Sequence, residues 1–313
     1  MTTRSLLDRA GTLAGLVLVA LIFGIAVGPQ FVSPANVELM ARQTAIVGMA
    51  ALGMTMVIVS GGIDLSVGSI IALATVAIAL LLRMDAGPAV AALGGIAAAT
   101  ACGLANGLLI TWLRVVPFIV TLGTMLVVRG AAKGLADERR LEAPVTWLND
   151  LLRSGTGSVL LPSGIWLLIV LALVVSAVLG YTRFGRHVFA IGSNERMARL
   201  CGVPVERRKV AVYALAGLFG GLAGLLQFSK LSVGDPTVAI GLELDIIAAV
   251  IIGGGSLLGG RGTAAGTLMG AAIMTIISLG CTQKGLPNWV QQIITGAIIV
   301  GAVALDRVRT TRL

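Results

Sequence analysis

The chain is a succession of apolar runs close to the roughly 20 residues that a helix needs to cross a bilayer, separated by short breaks rich in Gly, Pro and Arg. Repeated this often in 313 residues, runs of that length do not fit a water-soluble core. Ten candidate spans emerge, at approximately 11–28, 44–59, 64–82, 88–112, 115–130, 162–180, 210–229, 240–256, 263–281 and 288–305. Composition agrees: 57% of residues are apolar and 12% charged, against roughly 45–50% and 25% in soluble domains. The 42 glycines and the 4% aromatic share suit helices that approach one another closely inside lipid. The sequence therefore predicts an all-α polytopic membrane protein, with residues 1–313 as one transmembrane domain.

Other classes drop out by what the residues cannot build. Cys102, Cys201 and Cys281 lie far apart on apolar stretches and His187 is the one histidine, so neither a thiolate or imidazole zinc site nor a Ser-His-Asp triad can be written. No Gly-Lys dipeptide occurs, which removes the Walker A phosphate loop. The cluster Gly253-Gly254-Gly255-Ser256-Leu257-Leu258-Gly259-Gly260-Arg261-Gly262 lacks that lysine and reads as a turn between two helices. The net charge of +9 does not indicate nucleic acid, because the basic residues sit between apolar runs without aromatic interleaving. Any ATP used must be hydrolysed by a partner, and no bound cofactor is expected.

Arg4 and Arg9 precede a first apolar run that is too long for a signal-peptide core and lacks a cleavage site, so it reads as a retained helix. An even number of spans puts both termini on one side, and the excess of Lys and Arg marks that side as cytoplasmic. A loop at about 131–161 falls outside; one at about 181–209 falls inside, with Arg183, Arg186, Arg196, Arg199, Arg207, Arg208 and Lys209 against Glu195 and Glu206. Topology accounts for that charge. It does not account for Asn194-Glu195-Arg196-Met197-Ala198-Arg199-Leu200-Cys201-Gly202, which has an Asn N-cap and a Gly terminator and reads as a short docking helix.

Three acids lie in or at the ends of spans, where charge is costly and usually faces a bundle interior. Asp64, within Ser60-Gly61-Gly62-Ile63-Asp64-Leu65-Ser66, comes after paired glycines that break the second span; it reads either as a cap of the third helix or as a transport residue. Glu243 and Asp245 fit the first turn of the eighth helix on the external side, where the helix dipole stabilises them; again capping and a pathway role both stand. Asn106, Thr121, Gln227, Gln291 and Gln292 are neutral polar residues in or near spans, suited to lining a path or to bonding helices together. Gly103/Gly107, Gly217/Gly221, Gly220/Gly224, Gly262/Gly266 and Gly266/Gly270 carry small-x-x-x-small spacing, a signal of tight packing. The Gly-rich breaks at 61–68 and 253–262 suggest an internal repeat.

Four stretches together resemble the ribose-type family of ABC transporter permeases, the membrane subunits of bacterial importers for simple sugars. They are Gly53 to Ser69, Val116-Pro117-Phe118-Ile119-Val120-Thr121-Leu122-Gly123-Thr124, Phe184-Gly185-Arg186 through Ala190 to Glu195, and Glu243 to Gly254. The resemblance implies a multi-pass protein of the bacterial cytoplasmic (inner) membrane. It also implies a permease dimer, homomeric or with a similar chain, docked on two cytoplasmic ATPase subunits that use ATP and Mg, and served by an extracytoplasmic sugar-binding protein. The family's coupling helix has a loose Glu-Ala-Ala-x-x-x-Gly pattern; here Glu195 and Gly202 keep the ends while Arg196 and Met197 replace the alanines. Asn194, Glu195, Arg196, Ala198, Arg199 and Gly202 are thus the implied ATPase-coupling residues. The implied pathway neighbours are Ser60, Asp64, Ser66, Asn106, Thr121, Glu243 and Asp245.

Overall fold

The structure, a computed structural model, describes residues 3–153 and 161–311; the part of the expected external loop at 154–160 lies outside them. The helices in chain order are α1 (Thr3–Val27), α2 (Pro34–Val59), α3 (Val67–Arg83), α4 (Pro88–Leu113), α5 (Pro117–Leu135), α6 (Ser163–Tyr181), α7 (Arg183–Ser193), α8 (Glu195–Leu200), α9 (Val205–Leu231), α10 (Leu242–Ile252), α11 (Ala264–Gln283) and α12 (Asn288–Thr311). Every expected span is met by a helix, and the architecture is the all-α polytopic one. Three helices start on proline, at Pro34, Pro88 and Pro117, where the ring sets φ and the missing N–H costs no helical bond.

Six helices, α2, α4, α5, α6, α9 and α11, are long and apolar enough to cross a membrane unaided; the apolar parts of α1 (11–27) and α3 are slightly shorter. The expected span at 240–256 is different in kind. Its helix, α10, has 11 residues and rises about 16 Å, roughly half of a 30 Å hydrocarbon layer. The chain on either side of it, at 235–241 and 253–262, is non-helical. Similarly, α3 is preceded by the non-helical loop 60–66.

The bundle centres on α2, which is buried continuously from Ala45 to Ser60. Glycine spacing sets how closely its neighbours approach. Gly103 and Gly107 of α4 meet Gly217 and Tyr213 of α9: a Cβ at Gly103 would lie 2.8 Å from the Gly217 Cα, and one at Gly107 would lie 3.2 Å from the Tyr213 Cβ. The next α9 row, Gly220 and Gly224, faces Ile70, Ile71 and Ala74 of α3. Gly266 and Gly270 of α11 face Gly253 and Ala249 at the α10 side. Between α2 and α11, the Thr55 and Thr267 hydroxyls hydrogen-bond at 2.7 Å, a contact worth about 0.6 kcal/mol in a membrane bundle.

One end of the bundle is closed by a two-residue antiparallel ribbon, β1 (Leu141–Glu142) on β2 (Val233–Gly234), and by a 3-10 turn at Trp147–Asp150 with a Thr146/Asn149 capping box. Ser229 of α9 accepts from the Leu152 amide and donates to the Asn149 carbonyl. The opposite end carries α7 and α8.

Candidate functional site

Loop 60–66 is irregular backbone inside the bundle, which is tolerated only where neighbouring protein satisfies its polar groups. Each neighbour supplies a contact. The Gly62 amide donates to the Val57 carbonyl at 3.0 Å, as does the Ser60 hydroxyl at 2.7 Å. The Thr121 hydroxyl of α5 donates to the Ile63 carbonyl at 3.1 Å. Asp64, 1% exposed, accepts from the Ser66 amide at 2.8 Å and the Ser66 hydroxyl at 2.6 Å, and the Asn106 amide of α4 donates to the Ser66 oxygen at 2.8 Å. Asp64, Ser66, Asn106 and Thr121 therefore form one buried cluster.

The capping reading of Asp64 is modified by this geometry. Its carboxylate closes an Asx turn on Ser66, while α3 begins one residue later with Ser66 at its N-cap position and no side-chain cap. Tyr213 belongs to the same site, and no local pattern in the sequence marks it. It is 1% exposed and packs its ring under Gly62, where any Cβ would collide with the hydroxyl. That hydroxyl and Asn106 Oδ1 are buried without hydrogen-bond partners among the described residues. Tyr213 stands four residues before Gly217 on the α9 face that meets α4, so the glycine spacing extended back by one turn is the signal that could have found it.

Glu243 and Asp245 lie in the first turn of α10, half-buried. The Glu243 carboxylate accepts from the Gly241 amide at 3.2 Å and rests against Gly68 in the first turn of α3. The expected first turn is thus met, on a helix shorter than the expected span at 240–256, and that turn packs on the start of α3. The segment preceding α10 is clamped by Arg129 of α5, which donates to the carbonyls of Pro236 at 2.9 Å and Val238 at 2.7 Å. Asp235, next to the ribbon at the end of the bundle, accepts from the Thr237 amide and hydroxyl, at 2.8 and 2.7 Å, and from Arg140 at 2.9 Å. Burial opposes ionisation of Asp235, but the Thr237 bonds and then Arg140 outweigh it and hold the carboxyl below its ordinary range. Of the neutral polar residues, Gln227 is buried in α9, and Gln291 donates to the Leu286 carbonyl at 2.9 Å, closing the turn into α12.

At the other end, α8 has both ends capped by its own sequence. Asn194 Oδ1 accepts from the Met197 amide at 3.0 Å. After the helix, the Val203 amide donates to the Ala198 carbonyl at 3.0 Å and the Gly202 amide to the Arg199 carbonyl at 3.1 Å, with Gly202 at φ +79°. This is a Schellman closure, and its accompanying apolar contact is made by Ala198 and Val203 with Ile191 and Val205. Glu195 pairs with Lys209 at 2.7 Å and with Arg199 at 3.3 Å, and Arg199 also pairs with Glu206, fastening α8 to the first turn of α9. Arg196 takes no part in these pairs and is exposed; Met197 and Leu200 are exposed too, Leu200 to 81%. A groove of about 870 Å³ runs from Glu195, Arg196 and Arg199 to Arg114 and Val116 at the α4–α5 turn. Neither α7, Thr182-capped and amphipathic, nor its backbone contacts with the core were legible in the sequence.

Buried polar loops between broken helices, joined to an exposed capped helix, are the parts of a transport permease, and no cluster of metal-ligating side chains occurs among the described residues. The chain belongs to the family described as the permease component of branched-chain amino acid transport systems, whose model matches residues 36–303. It is 38% identical over 305 residues to the ribose import permease of Bacillus subtilis, covering 96% of this chain and 93% of that one. It is 35% identical over 305 residues to the L-arabinose ABC transporter permease of Azospirillum brasilense (97% and 89%), and 34% identical over 300 residues to the fructose import permease of Rhizobium meliloti (93% and 83%).

Proposed function

We propose that the chain is the membrane-spanning permease subunit of an ATP-driven ABC importer and carries a simple sugar into the cytoplasm by alternating access. The similar proteins are named for ribose, L-arabinose and fructose, which favours a sugar over the branched-chain amino acids of the family description. The ATP and Mg belong to a separate ATPase subunit. A second permease chain, identical or homologous, completes the translocator, and an extracytoplasmic binding protein delivers the sugar. The α7–α8 end faces the cytoplasm together with both termini; Arg183, Arg186, Arg196, Arg207 and Arg208 gather there, in keeping with the positive-inside rule.

The observation that carries this reading is α8. A six-residue helix has too few internal hydrogen bonds to persist alone, yet this one is capped at both ends, fixed to α9 by ion pairs, and left with two apolar side chains exposed. Those are the properties of a preformed docking knob. The proposed ATPase contacts are Asn194, Glu195, Arg196, Arg199 and Gly202, with Met197 and Leu200 as the apolar tips, while Ala198, expected among them, is turned inward and supports the helix. Ser60, Asp64, Ser66, Asn106, Thr121, Glu243 and Asp245 are the proposed neighbours of the sugar path. Neutral hydroxyl and amide groups there give weak, replaceable hydrogen bonds, so the sugar is released readily. The test is affinity capture of the tagged permease from gently solubilised native membranes. Wild type should retain an ATPase subunit, and Leu200→Glu should lose it while still inserting in the membrane. Recovery of the permease alone, under conditions that keep a control ABC complex intact, would instead support a proton-coupled secondary transporter.

A further inference from the structure

Gly192, the penultimate residue of α7, touches two other segments backbone to backbone. A Cβ there would overlap the carbonyl oxygen of Val59, the last residue of α2, and come 2.6 Å from the Gly260 amide nitrogen. The same Val59 carbonyl accepts a hydrogen bond from the Gly260 N–H at 2.9 Å. Gly259 lies against the Gly192 carbonyl from the other side, where a Cβ would be 2.6 Å from that oxygen, and a Cβ at Gly61 would be 3.7 Å from the Gly192 Cα. Three segments thus meet with no side chain between them: the end of α7, the start of loop 60–66 and the loop 253–262. Gly259 and Gly260 both hold positive φ, +86° and +72°, a conformation that only glycine adopts without strain.

Each of the three segments is continuous with another element. Two residues beyond Gly192, Asn194 caps α8. Loop 60–66 leads into α3, and loop 253–262 is the direct continuation of α10. These two helices are both shorter than the six long spans, and their first turns meet at Gly68 and Glu243. Side chains packed against one another can slide or change rotamer, whereas a backbone contact this close has little room to adjust. A displacement of α8 therefore has no compliant layer to absorb it before it reaches both loops.

We propose that the Gly192–Val59–Gly260 joint is the element through which movement of α8 is delivered simultaneously to α3 and α10. Gly192, Gly259 and Gly260 are positioning residues for transport rather than residues that touch sugar or ATPase. The proposal rests on the reading of α8 as the ATPase-docking helix, and its test separates the two. The permease is assembled with its ATPase in lipid nanodiscs, and hydrogen exchange of residues 60–66 and 253–262 is compared without nucleotide and after trapping with ATP and vanadate. Wild type should change its exchange in both loops. Gly192→Ala should retain the ATPase and its hydrolysis but lose the change in both loops, by about tenfold in exchange rate, within the usual span of coupling between sites.

Persistence of the full change in ATPase-bound Gly192→Ala would overturn the proposal, as would a wild-type complex whose loops do not respond. Failure of wild type to hold any ATPase would overturn the docking reading instead. If Gly192→Ala does not assemble, the wild-type complex decides by itself: trapping should change exchange in loops 60–66 and 253–262 together. Because both loops bear on Gly192, a response confined to one loop would refute the joint.

Discussion

Asp64 separates geometry from charge. Replacing it by Ala removes the acceptor of two buried donors, the Ser66 amide and the Ser66 hydroxyl, and each buried donor left without a partner costs about 1–3 kcal/mol. The hydroxyl can rotate and recover part of its loss, so the expected destabilisation is about 2–5 kcal/mol. Replacing it by Asn keeps an oxygen in the same place. Asn106, whose amide bonds Ser66 beside it and whose Oδ1 lacks a partner among the described residues, offers an acceptor to the added amide hydrogens. The loss for Asp64→Asn should then be about 1 kcal/mol or less, the difference between a charged and a neutral acceptor. The assay is thermal unfolding in detergent, read from reactivity of the buried Cys281 thiol, with sugar uptake measured in parallel. Asn stable with full uptake, and Ala unstable, makes the turn the function of Asp64. Asn stable but inactive assigns the charge to transport. Equal destabilisation by Asn and Ala would refute the hydrogen-bond account altogether.

Contacts at opposite ends of α10 give two further expected outcomes. Asp235 is held below its ordinary carboxyl range in the folded protein, so its contribution is complete above the unfolded value of about 3.9 and is lost as pH falls through the lower folded value; amide protection across residues 232–241 should weaken in that acid window, and Asp235→Asn should abolish that pH dependence. Gly270 of α11 lies so close to the Ala249 carbonyl that any Cβ overlaps it; Gly270→Val should part α10 from α11 at a cost of at least about 1–3 kcal/mol, seen as lowered thermal stability, and unchanged stability would contradict the close approach.

The helices were legible in the sequence because each buries a run long enough to count, and their boundaries were misplaced where a charge is locally neutralised. The second span looks as if it starts near 44, since Glu38 and Arg42 interrupt the apolar run; they form an i,i+4 ion pair, and α2 extends back to Pro34. The fifth looks as if it ends near 130, yet α5 runs to Leu135, and Arg129 within it donates to two carbonyls in segment 232–241. That partner lies more than a hundred residues away, beyond the reach of any local pattern. The same distance hid Tyr213 from Asp64 and Gly192 from Val59. The paired glycine spacings were readable as packing signals, but not which pairs with which, since that requires the order of helices in space. The short helix α8 was readable in full, because caps and terminators act within six or seven residues.

The long-range contacts also explain why α10 is short. Its preceding segment is tied to the ribbon end by Arg129, by the Asp235 network and by β1–β2 pairing, while the loop after it is bonded to α2 at Val59. A continuous helix over 240–256 would carry any axial displacement rigidly from one end of the bundle to the other. An 11-residue helix between an anchored non-helical segment and a glycine loop can tilt or shift about a fixed tether. The start of α3 packs directly on it, because Glu243 fills the space that a side chain at position 68 would take. Both helices are held as closely as the rest of the bundle, α3 by Gly220 and Gly224 of α9 and α10 by Gly270 of α11, so the proposed movement would carry these neighbours with them.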